Sequence, residues 1–234
     1  MKILLILVLS LLLGACAGQP APDWQYDVQS AAERYTQHYL AGDVRLAETS
    51  FHQARNAVAA TGQVAAVGHI ELLRCGLHVA ALDFTPCTGY SELAAINTTP
   101  ADMAYARFIS GDWKRMDARL LPAQYSPLMA SANQPQGNIN RSIAAIEDPV
   151  SRLVASGIMV RRGQFDTATL QAAVDTASKQ GWRRPLTHIS GYCKNRAVTR
   201  PHWLPSPHAF VWWNSPCNLL PNPQSQQSKC HRLY

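Results

Sequence analysis

The sequence predicts an all-α fold of repeat-like antiparallel helical hairpins, either a repeat array or an irregular bundle, followed by a non-regular C-terminal tail. Three observations predict it. Apolar residues recur every three or four positions over 28–84 and again over 150–172. Alanine, the best helix former, is abundant in the first two thirds of the chain. Between the apolar runs stand breaker pairs, Gly42-Asp43, Thr61-Gly62 and Gly163-Gln164.

The first element, residues 1–15, is a signal. Lys2 supplies a positive start, Ile3 to Leu13 is apolar apart from Ser10, and Leu13-Gly14-Ala15-Cys16 follows. A charged start, an apolar run of roughly ten residues and a small-residue cleavage site make a secretory signal rather than a spanning helix. The last four residues resemble the lipobox of bacterial lipoproteins. That resemblance implies cleavage between Ala15 and Cys16, a thioether-linked diacylglycerol on Cys16 and acylation of the new amine. One acyl chain binds a bilayer only marginally and several hold it stably. Ala17, in place of the aspartate that retains lipoproteins in the inner membrane in enterobacteria-like sorting, implies the outer membrane and a periplasm-facing body. Beyond the signal no stretch reaches the ~18 consecutive apolar residues of a spanning helix.

Residues 16–24 are a short anchored spacer, and residues 25–121 form an N-terminal helical unit. Val28, Ala31, Ala32, Tyr35 and Tyr39 share one helical face. Val44, Ala47, Phe51, Ala54 and Val58 share a second. The run Gln63–Phe84 is apolar nearly all round, as a helix buried on most sides would be. Gly42-Asp43-Val44-x-x-Ala47-x-x-x-Phe51-x-x-Ala54 resembles the hinge and second helix of a tetratricopeptide repeat, and Gly163-Gln164-Phe165-x-x-Ala168-x-x-x-Ala172 echoes it. The first helices lack the family's early aromatic and leucine positions, and no 34-residue period links the copies. The resemblance covers about 70 of the 234 residues. It implies closely packed helical hairpins of the kind that hold other proteins.

Thr85 to Thr99 reads as a loop, or as a loop with a short helix at Ser91–Ala95, and Pro100 suits a first helical turn. Pro122, Pro127 and Pro135, among Gln, Asn and Ser, make 122–139 a linker or long surface loop. Residues 140–186 form a C-terminal hairpin. Residues 187–234 show no sustained period, carry six prolines, and contain no acid after Asp175. They read as an irregular or disordered tail, of the kind an out-of-frame C-terminus would leave.

Charge follows the same division. Residues 16–186 carry 15 Lys/Arg and 15 Asp/Glu, so the basic balance of the chain belongs mainly to the tail. This argues against a nucleic-acid surface on the body.

With Cys16 lipidated, Cys75 and Cys87 are close enough in sequence to pair if the chain reverses at Thr85-Pro86, because bonded cysteines need Cα atoms within ~7 Å. Two separate thiols, with Cys75 simply buried, is the alternative. Cys193, His202, His208, Cys217, Cys230 and His231 are zinc-ligand types, but their spacing fits no close-paired ligand signature, so no metal and no cofactor is expected. Neither G-x-S-x-G, H-E-x-x-H nor a phosphate loop occurs. His52, His69 and His78 fall on predicted helices, and Asp83, Glu92, Glu147 and Asp148 show no spacing that selects an acid–base pair. The expectation is a non-catalytic lipoprotein with no nucleic-acid partner. It would bind the membrane through its N-terminal lipid and another envelope protein through its helices. A periplasmic hydrolase with an unrecognised acidic cleft and a metal-binding lipoprotein using the tail are the alternatives.

Overall fold

The computed structural model describes residues 23–198 apart from Arg115. Cys16 and the cleavage site at Ala15, and the tail from residue 199 onward, lie outside the described residues. The fold is all-α, with no strand among the described residues.

The first two helices, α1 (Asp23–Ala41) and α2 (Val44–Ala59), make a tight hairpin. Gly42 turns the chain with φ 91°, a left-handed conformation that favours glycine, while the Asp43 N–H donates to the His38 carbonyl at 2.9 Å. The faces that meet are those of the apolar spacing: Ala31, Tyr35 and Tyr39 on one helix, Ala47, Phe51, Ala54 and Val58 on the other. Val44, the first member of the second face, is instead exposed at the turn.

Next comes α3 (Val64–Ala80), buried on most of its surface. It stops four residues before the predicted end. Leu82 adopts φ 56° and the Asp83 N–H returns to the His78 carbonyl, so the chain reverses and leaves Phe84 in the loop. The short α4 (Thr88–Ala94) and α5 (Pro100–Ser110) follow. Thr99 caps α5 by accepting from the Asp102 N–H, and Pro100 occupies its first turn.

Residues 122–139 are not a linker. They hold a 3-10 turn, α6 (Ser126–Ser131) and the start of α7 (Gln136–Ala144), and they bury Tyr125, Leu128 and Ile139. Pro122 and Pro135 stand at the N-caps of these elements and Pro127 lies in the first turn of α6. Proline there starts helices rather than breaking them, because the first N–H groups of a helix have no partner within it. A polar cluster around the buried Thr169 ties α7 down: Thr169 Oγ1 donates to Asn140 Oδ1 at 2.8 Å, and the Asn140 amide donates to the exposed Asp166 carboxylate at 3.0 Å.

The chain continues as α8 (Pro149–Arg161), α9 (Thr167–Gln180) and α10 (Arg183–Val198). Residues 187–198 are therefore helical rather than irregular, and Ile189 and Cys193 are buried. The sequence offers only a weak stripe there because α10 contributes few core residues and leans on two neighbours, α9 and α1.

Two helices form the centre. α3 packs on α1, α2, α4, α5 and α8, and α8 packs on α3, α5, α7 and α9. Every residue from Leu153 to Val160 is buried. The N-terminal unit and the C-terminal hairpin thus share one core. Docking of α10 on α1 closes the circuit. The Trp182 indole donates to Gln37 Oε1 at 3.3 Å. Arg183 Nε donates to the Ala41 carbonyl at 2.9 Å and Arg184 Nε to the Tyr39 carbonyl at 2.8 Å. These guanidinium groups bond to carbonyls in the last turn of α1, and place positive charge where the helix dipole favours it.

Candidate functional site

The reversal after α3 carries the most concentrated chemistry among the described residues. Glu71, Arg74, Cys75 and His78 stand at positions i, i+3, i+4 and i+7 and share a face of α3. The reversal at Leu82 then brings Cys87 back to that face. Cys75 and Cys87 are disulfide-bonded, with Cα atoms 5.7 Å apart. Serine at both positions is expected to cost about 3 kcal/mol, the loop-closure value for a bridge between residues 12 apart. Chemical denaturation of the double variant beside the oxidised protein measures it.

The bridge stands between two concavities and lines both. One, of about 330 Å³, is lined by Glu71, Arg74, His78, Thr85 and Thr88. The other, of about 320 Å³, has an apolar floor of Val79, Met103, Ala106 and Ile109, with Tyr90, Arg107 and Arg161 around it. Met103 is exposed there.

Each charged group of the polar concavity has its counter-charge. Arg55 Nε donates to Glu71 Oε1 at 2.7 Å, and Arg74 Nη2 donates to Glu48 Oε1 at 3.2 Å while its guanidinium lies over the Phe51 ring. His78 Nδ1 lies 3.3 Å from Asp83 Oδ2, and its ring stacks on Tyr39 with centroids 5.1 Å apart. Arg184 lies over the same tyrosine ring, so the closure of α10 on α1 also backs this site. The concavity therefore offers hydrogen-bonding groups without excess charge. Its cysteines are bonded to each other, so neither acts as a thiolate.

Burial holds the His78 imidazole below its ordinary pKa, against the opposing pull of Asp83; Arg74 and Arg184 add to the lowering and Glu48 opposes it. Burial works to raise the Asp83 carboxyl, but hydrogen bonds from the Thr85 hydroxyl and N–H, with His78 and His188 nearby, outweigh it and bring it below the usual value. The two groups act in different pH windows. A histidine with a depressed folded pKa favours the fold while it is neutral. Its contribution falls as pH drops below the unfolded value of ~6.5 toward the folded one. Asp83 contributes above its unfolded value of ~3.9 and that contribution is lost only at more acid pH. Melting temperature is therefore expected to fall between pH 7.5 and pH 5.5. His78→Gln should flatten that fall, and an unchanged slope in H78Q would refute the assignment.

The other sequence candidates serve local structure. His69 is exposed and pairs with Asp102 at 3.1 Å, and Asp102 also accepts from the Thr99 hydroxyl at the start of α5. Asp148 caps α8 by accepting from the Ser151 N–H at 2.7 Å. His52, Glu92 and Glu147 are exposed. Of the Cys and His residues weighed as zinc ligands, only Cys193 falls among the described residues; His202, His208, Cys217, Cys230 and His231 lie outside them. Among the described residues no group of three or more His, Cys, Asp or Glu side chains is placed to hold a metal ion. No described helix is long and apolar enough to cross a membrane.

Sequence reasoning did not single out Glu71 and Arg74 as partners of His78, although their spacing with Cys75 was readable. It had no means of finding Tyr39 and Arg184, which arrive from helices distant in sequence. No protein-family model, no curated protein and no solved structure matches this chain.

Proposed function

We propose that this chain is a lipid-anchored, non-catalytic adaptor that holds another envelope protein at the periplasmic face of the bacterial outer membrane. The lipobox at Leu13–Cys16 and Ala17 support the anchor and its address. A disulfide at the centre of the candidate site fits an oxidising compartment. The residues that resemble a tetratricopeptide repeat support the helical-hairpin reading: Ala47, Phe51 and Ala54 are the face of α2 that meets α1.

One observation carries the proposal. A rigid covalent bridge divides an apolar-floored concavity from a polar one whose charges are already compensated. An apolar floor beside a few fixed polar groups suits the side chains of a docked protein segment. A photo-crosslinking residue at Met103, installed in cells, should give a discrete protein adduct that the same residue at the remote, exposed Glu33 does not. Equal patterns at both positions would remove the proposal.

The hydrolase reading keeps one favourable observation. Asp83 holds Nδ1 of a largely buried imidazole beside a concavity, an arrangement that can orient a base. Turnover of peptidoglycan fragments, lost in Asp83→Asn, would displace the adaptor reading.

A further inference from the structure

The anchor reading constrains which part of the domain meets the bilayer. Six residues, 17–22, separate Cys16 from Asp23 at the start of α1. At full extension that connection spans about 25 Å. The first turns of α1 are thus tethered within that distance of the membrane surface. Tyr26 is 57% exposed, one of the most exposed large apolar side chains among the described residues. Beside it a concavity of about 270 Å³ opens between α1 and α2, lined by Asp27, Ser30, Arg34 and Gln53.

Its charges are arranged as a pair of opposite sign. Asp27 and Arg34 lie seven residues apart, on one face of α1, and line the same hollow. Arg34 is held in place by Ser30 Oγ at 2.6 Å and Gln53 Oε1 at 3.3 Å. Asp27 has no ion-pair partner among the described residues.

We propose, resting on the anchor reading, that this face of the α1–α2 hairpin is a contact site for zwitterionic phospholipid headgroups of the leaflet that holds Cys16. Arg34 meets the phosphate, Asp27 meets the ammonium, and Tyr26 sits at the interface, where amphipathic aromatic rings are enriched. The carboxylates of Asp23 and Asp27 disfavour a purely anionic surface. α1 is 19 residues long, so the exposed Val44 and Leu46 at the far turn lie about 28 Å along the hairpin from its start. In the proposed orientation that end stands away from the bilayer.

The test uses the full-length lipidated protein in vesicles rich in phosphatidylethanolamine, with p-benzoylphenylalanine in place of Tyr26 or, separately, of Leu46. Lipid adducts should form at 26 and not at 46. Arg34→Gln, which removes the group that meets the phosphate, should lower the adduct yield at 26. Replacing phosphatidylethanolamine by phosphatidylglycerol should lower it as well. A chain that floats with the vesicles but labels lipid equally at both positions, or at neither, overturns this face and leaves the anchor standing. A chain that does not float overturns both.

Discussion

Trp182→Ala is expected to destabilise the protein by about 4 kcal/mol, within the range for truncating a buried aromatic side chain. The indole is 3% exposed and sits between the end of α9 and the start of α10. Two losses combine. The cavity removes contacts with the core, and the Gln37 side chain loses its indole donor across a separation of 145 residues. The same segment carries Arg183 and Arg184, which bond to carbonyls at the end of α1, so loosening Trp182 also weakens the closure of α10 on α1. A midpoint lower by roughly 10 °C in thermal unfolding is the matching signature for a domain of this size. Trp182→Phe should recover most of the loss while leaving Gln37 without its donor. A tryptophan whose removal changed stability by less than ~1 kcal/mol would show that the closure of the circuit adds little to the fold.

Gly157→Ala is expected to cost about 3 kcal/mol net, although alanine is normally the better helix former. Helix propensity alone favours alanine over glycine by ~1 kcal/mol. The opposing term is steric. At Gly157 a methyl group would overlap the Val79 carbonyl oxygen on α3 and press on the Val79 side chain. Backbone cannot swing aside as a long side chain can, so the two central helices must separate. Overpacking in a dense core usually costs 1–3 kcal/mol, and a collision with main chain lies at or above the top of that range. Gly191, which faces open space on α10, is the control. Alanine there should be neutral or slightly stabilising. If the two variants melted alike, the close approach of α8 to α3 would be refuted.

Most of the helices were legible because their apolar spacing is a local property. The stripe Ala31-Tyr35-Tyr39 and the stripe Ala47-Phe51-Ala54-Val58 each identify a face without knowledge of what covers it. The pairing of Cys75 with Cys87 was readable for a related reason, since short sequence separation leaves few geometries to consider. Legibility failed where one signal has two physical meanings. The prolines of 122–139 mark helix starts as readily as breaks, and only the burial of Tyr125, Leu128 and Ile139 distinguishes these. It failed again at 187–198, where α10 is helical because α1 and α9 support it rather than because its own stripe is strong.

The candidate site divides in the same way. Glu71, Arg74, Cys75 and His78 belong to one helix, so their common face follows from helical geometry. Asp83 reaches His78 because Leu82 accepts a left-handed conformation, which sequence disfavours for a leucine and the surrounding packing enforces.

By itself the sequence determined the helical class and the faces of the long helices, because each depends on residues within a few positions of one another. Only the tertiary structure decided that the two halves share a core across α3 and α8, that α10 closes on α1, and that Tyr39 and Arg184 back the imidazole of His78. Those contacts join residues up to 145 positions apart. Their selection depends on how whole surfaces fill space together, which no local spacing encodes.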